Sequence, residues 1–111
     1  CLAATAQDFV RIGRLYLKGG EWNGRRIVSR EWVEKSFRTD TSEGSPWFYQ
    51  YQWWKLSEDG GDLLAVGHLG QYIYINPARD LIIVRLGKTR GHFNHEGWKK
   101  LLKAFIAQVP K

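Results

Sequence analysis

Gly67-His68-Leu69-Gly70-Gln71-Tyr72-Ile73-Tyr74-Ile75-Asn76-Pro77-Ala78-Arg79-Asp80-Leu81-Ile82-Ile83-Val84-Arg85-Leu86 is the stretch on which the fold turns. Its β-branched and aromatic side chains have the composition of strands. Asn76-Pro77-Ala78-Arg79-Asp80 interrupts them with turn chemistry: Pro fixes one dihedral, and Asn and Asp bond their own backbone. So short a connection cannot make a crossover, so the flanking runs pair antiparallel. Leu81–Leu86 is nearly continuously apolar, which implies cover on both sheet faces.

Upstream, Leu63–His68 leads through Gly70 into Tyr72–Ile75, and an aromatic run covers Tyr49–Leu56. Together these give an antiparallel sheet of about three main strands. Helices flank it at both ends of the chain. Thr5 can cap the first, with Asp8 placed for the helix N-terminus and a face of Phe9, Ile12, Leu15 and Tyr16; Gly19-Gly20 ends it. Asn23-Gly24 marks a small hairpin, and Ser29 can cap a short second helix carrying Trp32, Val33 and Phe37. Residues 39–46 read as a loop. Asn94 can cap the last helix, whose apolar stripe is Trp98, Leu101, Leu102, Phe105, Ile106 and Val109. The fold class is therefore α+β, and residues 1–111 form a single domain. A small sheet with both edges open normally belongs to a larger one. With the absence of methionine and the start at Cys1-Leu2-Ala3-Ala4-Thr5, this points to a piece of a longer protein. A lipidated Cys1 is the weaker alternative, because no flexible tether follows it.

Composition narrows the function classes. Of 111 residues, 43% are apolar, 25% charged and 14% aromatic, which excludes disorder as the main state. One cysteine excludes a disulfide framework and a Cys-based zinc site. No apolar run is long enough for a membrane helix. The net charge of +6 invites a nucleic-acid reading, but the basic residues are scattered and only Lys99, Lys100 and Lys103 cluster, on a solvated helix face. No nucleic-acid partner is therefore expected.

Three groups of residues could carry chemistry. In Gly67-His68-Leu69-Gly70-Gln71, the glycines permit close approach of backbone or ligand, and the N–H following Gly70 could face an oxyanion. The bland alternative is a structural His beside a turn. His92 and His95 are spaced for a metal, but no third ligand is evident, so capping or surface roles fit better and no metal or other cofactor is expected. Trp47-Phe48-Tyr49-Gln50-Tyr51-Gln52-Trp53-Trp54 could stack on sugars or bases, though a strand with alternating aromatics more often fills a core. No serine lies in a Ser-x-x-Lys or Gly-x-Ser-x-Gly string.

In order, Leu2–Leu17, Glu21–Ser29, Tyr51–Trp54, Gly67–Tyr74 and Asp80–Gly87 resemble consecutive segments of the serine beta-lactamase-like hydrolases, specifically the class C-related esterases, peptidases and nylon-oligomer hydrolases. The resemblance covers nearly the whole chain. It implies the C-terminal portion of a beta-lactamase-like fold. His68-Leu69-Gly70 matches that family's Lys/His-x-Gly motif. His68 would then help bind substrate and support the catalytic hydrogen-bond network, and the backbone N–H of Gln71, just after Gly70, would be one oxyanion donor. The nucleophile motif Ser-x-x-Lys and the Tyr-x-Asn motif of the site are expected upstream, outside this chain, which alone would be inactive. The intact parent would act on a small-molecule ester or amide, in the periplasm or outside the cell. A scaffold domain that has lost the chemistry is the rival reading. The open sheet edge implies association, as a homo-oligomer.

Overall fold

The computed structural model describes residues 2–59 and 61–111, so Cys1 lies outside the described residues. Helix α1 spans Ala6–Leu17 and begins at a reciprocal cap: Thr5 Oγ1 accepts from the Asp8 amide, and the Asp8 carboxylate accepts from the Thr5 amide, both at 3.2 Å. It ends where Gly20 takes φ +92°; a Cβ there would lie 2.1 Å from the Val28 carbonyl oxygen, so only glycine fits. Strands β1 (Glu21–Trp22) and β2 (Arg25–Arg26) form the small hairpin, turning through Asn23 and Gly24 with positive φ. Helix α2 (Arg30–Phe37) starts where Ser29 Oγ accepts from the Trp32 amide at 3.2 Å.

A five-stranded antiparallel sheet follows, with its strands side by side in chain order. The strands are β3 (Tyr49–Gln50), β4 (Trp53–Trp54), β5 (Leu63–Gly67), β6 (Gln71–Asn76) and β7 (Leu81–Arg85). The α+β class and antiparallel meander are as expected, but the strand count is higher. The run Tyr49–Leu56 is not one strand: Tyr51 and Gln52 both adopt positive φ (51° and 71°) and fold it into a hairpin. No glycine or asparagine marks that turn. It is held by Tyr51 packing on Trp32, with ring centroids 4.9 Å apart, and by the Tyr49 hydroxyl donating to Gln52 Oε1 at 3.0 Å. Likewise Leu63–Ile75 is a hairpin that reverses at His68-Leu69-Gly70, pairing Gly67 with Gln71.

Alternation along the strands sends side chains to two helix layers. Leu64, Tyr72 and Tyr74 pack with Leu56 beneath helix α3 (His95–Ile106), meeting its Leu102 and Ile106. Trp53, Leu63 and Ile75 face the other way, toward Tyr16 and Leu17 of α1 and Phe37 of α2. Leu63, Leu64 and Ile75 have no solvent exposure, each worth about 1.5–3 kcal/mol on burial. Helix α1 approaches β7 so closely that a Cβ on Gly13 would sit 2.9 Å from Ile82 Cγ2. Strand β7 is half-buried at every residue, as its apolar sequence implied, and among the described residues only β6 pairs with it. None of the helices is long and apolar enough to cross a membrane, among the described residues.

Candidate active site

The conspicuous glycines and histidine of the sequence meet at one place, the tip of the β5–β6 hairpin. Gly67 and His68 are exposed, Leu69 and Gln71 are half-buried, and Gly70 is buried. Leu69 and Gly70 both take positive φ (61° and 79°). For Leu69 this is a strained conformation, of order 1–2 kcal/mol. Gly67 is small for a reason of packing: a Cβ there would fall 2.9 Å from Gln71 Cβ across the ladder.

Beneath the tip lies Arg85, at the end of β7. Its Nη1 donates to the carbonyls of Gly70 at 2.5 Å and Leu69 at 3.2 Å, and its Nη2 donates to Thr89 O at 2.8 Å. The guanidinium stacks over the Trp98 ring, 4.1 Å from its centroid, and Trp98 Nε1 donates to Arg90 O at 2.7 Å. All peptide bonds here are trans, so a carbonyl and the next N–H point in opposite directions. With the carbonyls of Leu69 and Gly70 aimed at Arg85, the amides of Gly70 and Gln71 turn away from it. The Gln71 side chain makes a second tie, donating to Gly87 O at 2.5 Å and accepting from the Gly87 amide at 2.8 Å, so it extends the β6–β7 pairing as a surrogate peptide. Chemically, the tip is a main-chain corner exposed at Gly67 and His68 and fixed from below at Gly70, a shape suited to stabilising developing negative charge. It carries no nucleophile of its own.

This hairpin and its supporting helices are shared with known hydrolases. A 6-aminohexanoate-dimer hydrolase of Paenarthrobacter ureafaciens is 34% identical, matched over 77% of this chain and 24% of its own length. A solved structure from Bacillus anthracis, assigned by name to 6-aminohexanoate-dimer hydrolase, superposes on 97% of this chain with a TM-score of 0.73 and 26% identity. The chain has the beta-lactamase-like fold of these proteins. It spans about a quarter of the curated relative's length and 30% of the solved neighbour. No family model matches the chain.

Within this family fold, the other sequence candidates take structural places. One expectation needs correcting: a Tyr-x-Asn string does occur, as Tyr74-Ile75-Asn76. It lies at the far end of β6 from the tip, with both side chains buried: Asn76 Nδ2 donates to the Tyr74 hydroxyl at 2.9 Å, which donates to Asp62 at 3.1 Å. Burial drives the Tyr74 phenol far above its ordinary pKa. Asp62 is also buried and accepts from the amides of Leu56 and Ser57 and from the Ser57 hydroxyl. Four donors occupy this one carboxylate, so the 2.6 Å Ser57–Asp62 contact is a structural tie. The hydroxyls of Ser29, Ser36 and Ser42 likewise serve local bonds.

Of the two histidines near α3, His92 is exposed, while His95 Nδ1 lies 2.8 Å from the Tyr72 hydroxyl. Burial, then the charges of Lys99 and Arg90, lowers the His95 pKa against the opposing pull of Glu96. The aromatic run Trp47–Trp54 fills core and cover: Trp53 is buried against Tyr16, and Phe48 stacks on Trp54. A cavity of about 300 Å³ opens beside Asp62, Asn76 and Arg79, and one of about 460 Å³ lies between α1, α2 and Pro77; neither is lined by residues 67–71. Arg85 and Trp98 escaped the sequence reading as site residues. Their signal was faint: one charge closing an apolar strand run, and the first aromatic of a helix stripe.

Proposed function

We propose that this chain is the C-terminal part of a serine hydrolase acting on an ester or amide through an acyl-serine intermediate. The observation that carries the reading is the β5–β6 tip: exposed at Gly67 and His68, pinned from beneath at Gly70, in a chain with this fold. The nucleophilic serine and its lysine base come from the remainder of the protein, since the 111 residues hold no Ser-x-x-Lys string. In the reaction, the serine oxygen attacks the substrate carbonyl, and the proton it loses goes to the base. The resulting oxyanion takes one hydrogen bond from the main chain of His68–Gln71. The leaving alcohol or amine departs with a proton, and water then cleaves the acyl-serine. His68, at the exposed edge of the tip, contacts the bound substrate.

The relatives' name, 6-aminohexanoate-dimer hydrolase, supports an amide-bearing substrate. A fluorophosphonate probe tests the division of labour. The 111-residue chain alone should remain unlabelled by mass spectrometry and should not turn over p-nitrophenyl esters. A stoichiometric adduct on one of its own serines would refute the reading.

A further inference from the structure

We infer that Arg85 is the positioning residue of the hydrolytic site, setting the direction and polarity of the hairpin-tip amides; this rests on the hydrolase reading above. Three carbonyls from two separate segments, Leu69, Gly70 and Thr89, converge on one guanidinium. They reach it because two glycines leave room. A Cβ on Gly70 would lie 3.0 Å from Arg85 Nη1, and one on Gly87 would lie 3.0 Å from Nη2. Trp98 supplies the flat floor, itself fixed by its bond to Arg90 O. The tip, the loop before α3 and the first turn of α3 are thereby tied into one body.

The arrangement does two things to the amides. First, it holds the carbonyls of Leu69 and Gly70 inward, so the N–H groups of Gly70 and Gln71 stay turned the other way. Second, a cation on a peptide carbonyl draws electron density through the amide and strengthens the N–H as a donor. Arginine suits this geometry where lysine does not. A planar fork can serve several carbonyls while lying on an indole, whereas an ammonium is a point donor that cannot stack.

The test uses Arg85→Lys and Arg85→Gln, with Trp98→Phe as a milder variant that keeps a ring but loses the bond to Arg90. Backbone amide order parameters of the 111-residue chain read the tip directly. We expect those of His68–Gln71 to fall from about 0.85 to below about 0.6 in both Arg85 variants, with Ile73 and Ile75 unchanged. In the chain joined to a nucleophile-bearing hydrolase portion, kcat should fall about 100-fold with KM held within about threefold, and lysine should not rescue it. Unchanged tip order parameters overturn the inference. So does a loosening of tip and core together, or a normal kcat in Arg85→Lys. Absence of turnover in the joined protein with native Arg85 would instead remove the hydrolase reading, while the order parameters still decide whether Arg85 holds the tip.

Discussion

Gly70→Ala is the most informative single change at the tip. Gly70 has φ +79°, a region that costs an L-residue about 1–2 kcal/mol. Its new methyl would also meet Arg85 Nη1 at 3.0 Å. The guanidinium cannot simply swing aside, because it is bonded to three carbonyls and stacked on Trp98. Displacing it forfeits at least one charge-assisted hydrogen bond, worth about 1.5–3 kcal/mol. The expected total is about 3 kcal/mol, or roughly a 10–15 °C fall in Tm. Gly44→Ala provides the control: Gly44 has the same φ of +79°, with nothing within 4 Å of its virtual Cβ. It should show the backbone cost alone, about 1 kcal/mol. Urea denaturation followed by tryptophan fluorescence gives both values, and repeating Gly70→Ala in an Arg85→Ala background should remove the excess. Equal costs at positions 70 and 44 would refute the argument that Arg85 is pinned against the tip.

Other perturbations test other parts of the structure. Asp62→Ala orphans four donors, from Leu56, Ser57 and Tyr74, and should cost about 3–5 kcal/mol in the same denaturation assay. Asp62→Asn should cost less, because the two hydroxyls can rotate to accept from the new amide. His95 is held below its ordinary pKa of 6.5 chiefly by burial. Its contribution to stability is therefore complete above pH 6.5 and lost as pH falls through the lowered value; His95→Gln should flatten stability against pH in that window. The outer side of β7 should drive concentration-dependent association in sedimentation velocity. A monomer at all concentrations would contradict it.

Much of the architecture was legible in the residues because the determining signals are local. The reciprocal cap at Thr5 and Asp8, the Asn23-Gly24 turn and the Ser29 and Asn94 caps each act within a few residues, and each appears where the sequence places it. The turn at Tyr51-Gln52 did not announce itself. Neither residue favours positive φ, and the conformation is imposed by packing against Trp32, 19 positions before Tyr51. The hairpin tip was visible through its glycines, yet what holds it was not. Arg85 lies 15 residues from Gly70, and Trp98 another 13 on. Their meeting depends on the β6–β7 register and on how α3 lies over the sheet, quantities that no short window of sequence contains. The Tyr-x-Asn string at Tyr74 shows the converse. A site-like pattern turned out to be core once alternation along β6 sent Tyr74 beneath α3 and left Asn76 buried against its hydroxyl.

On the proposed reading, the hairpin tip of this chain forms one wall of a serine hydrolase site. The most direct measurement is a chimera in which residues 1–111 replace the matched quarter of the Paenarthrobacter ureafaciens relative. Its hydrolysis of p-nitrophenyl esters and of 6-aminohexanoate dimer would be followed together with acyl-enzyme formation by mass spectrometry. Turnover above background that falls about 100-fold in the Gly70→Ala chimera is the outcome expected if the tip lies beside the reactive serine. A folded chimera that forms no acyl-enzyme, or one that is indifferent to Gly70→Ala, would contradict it.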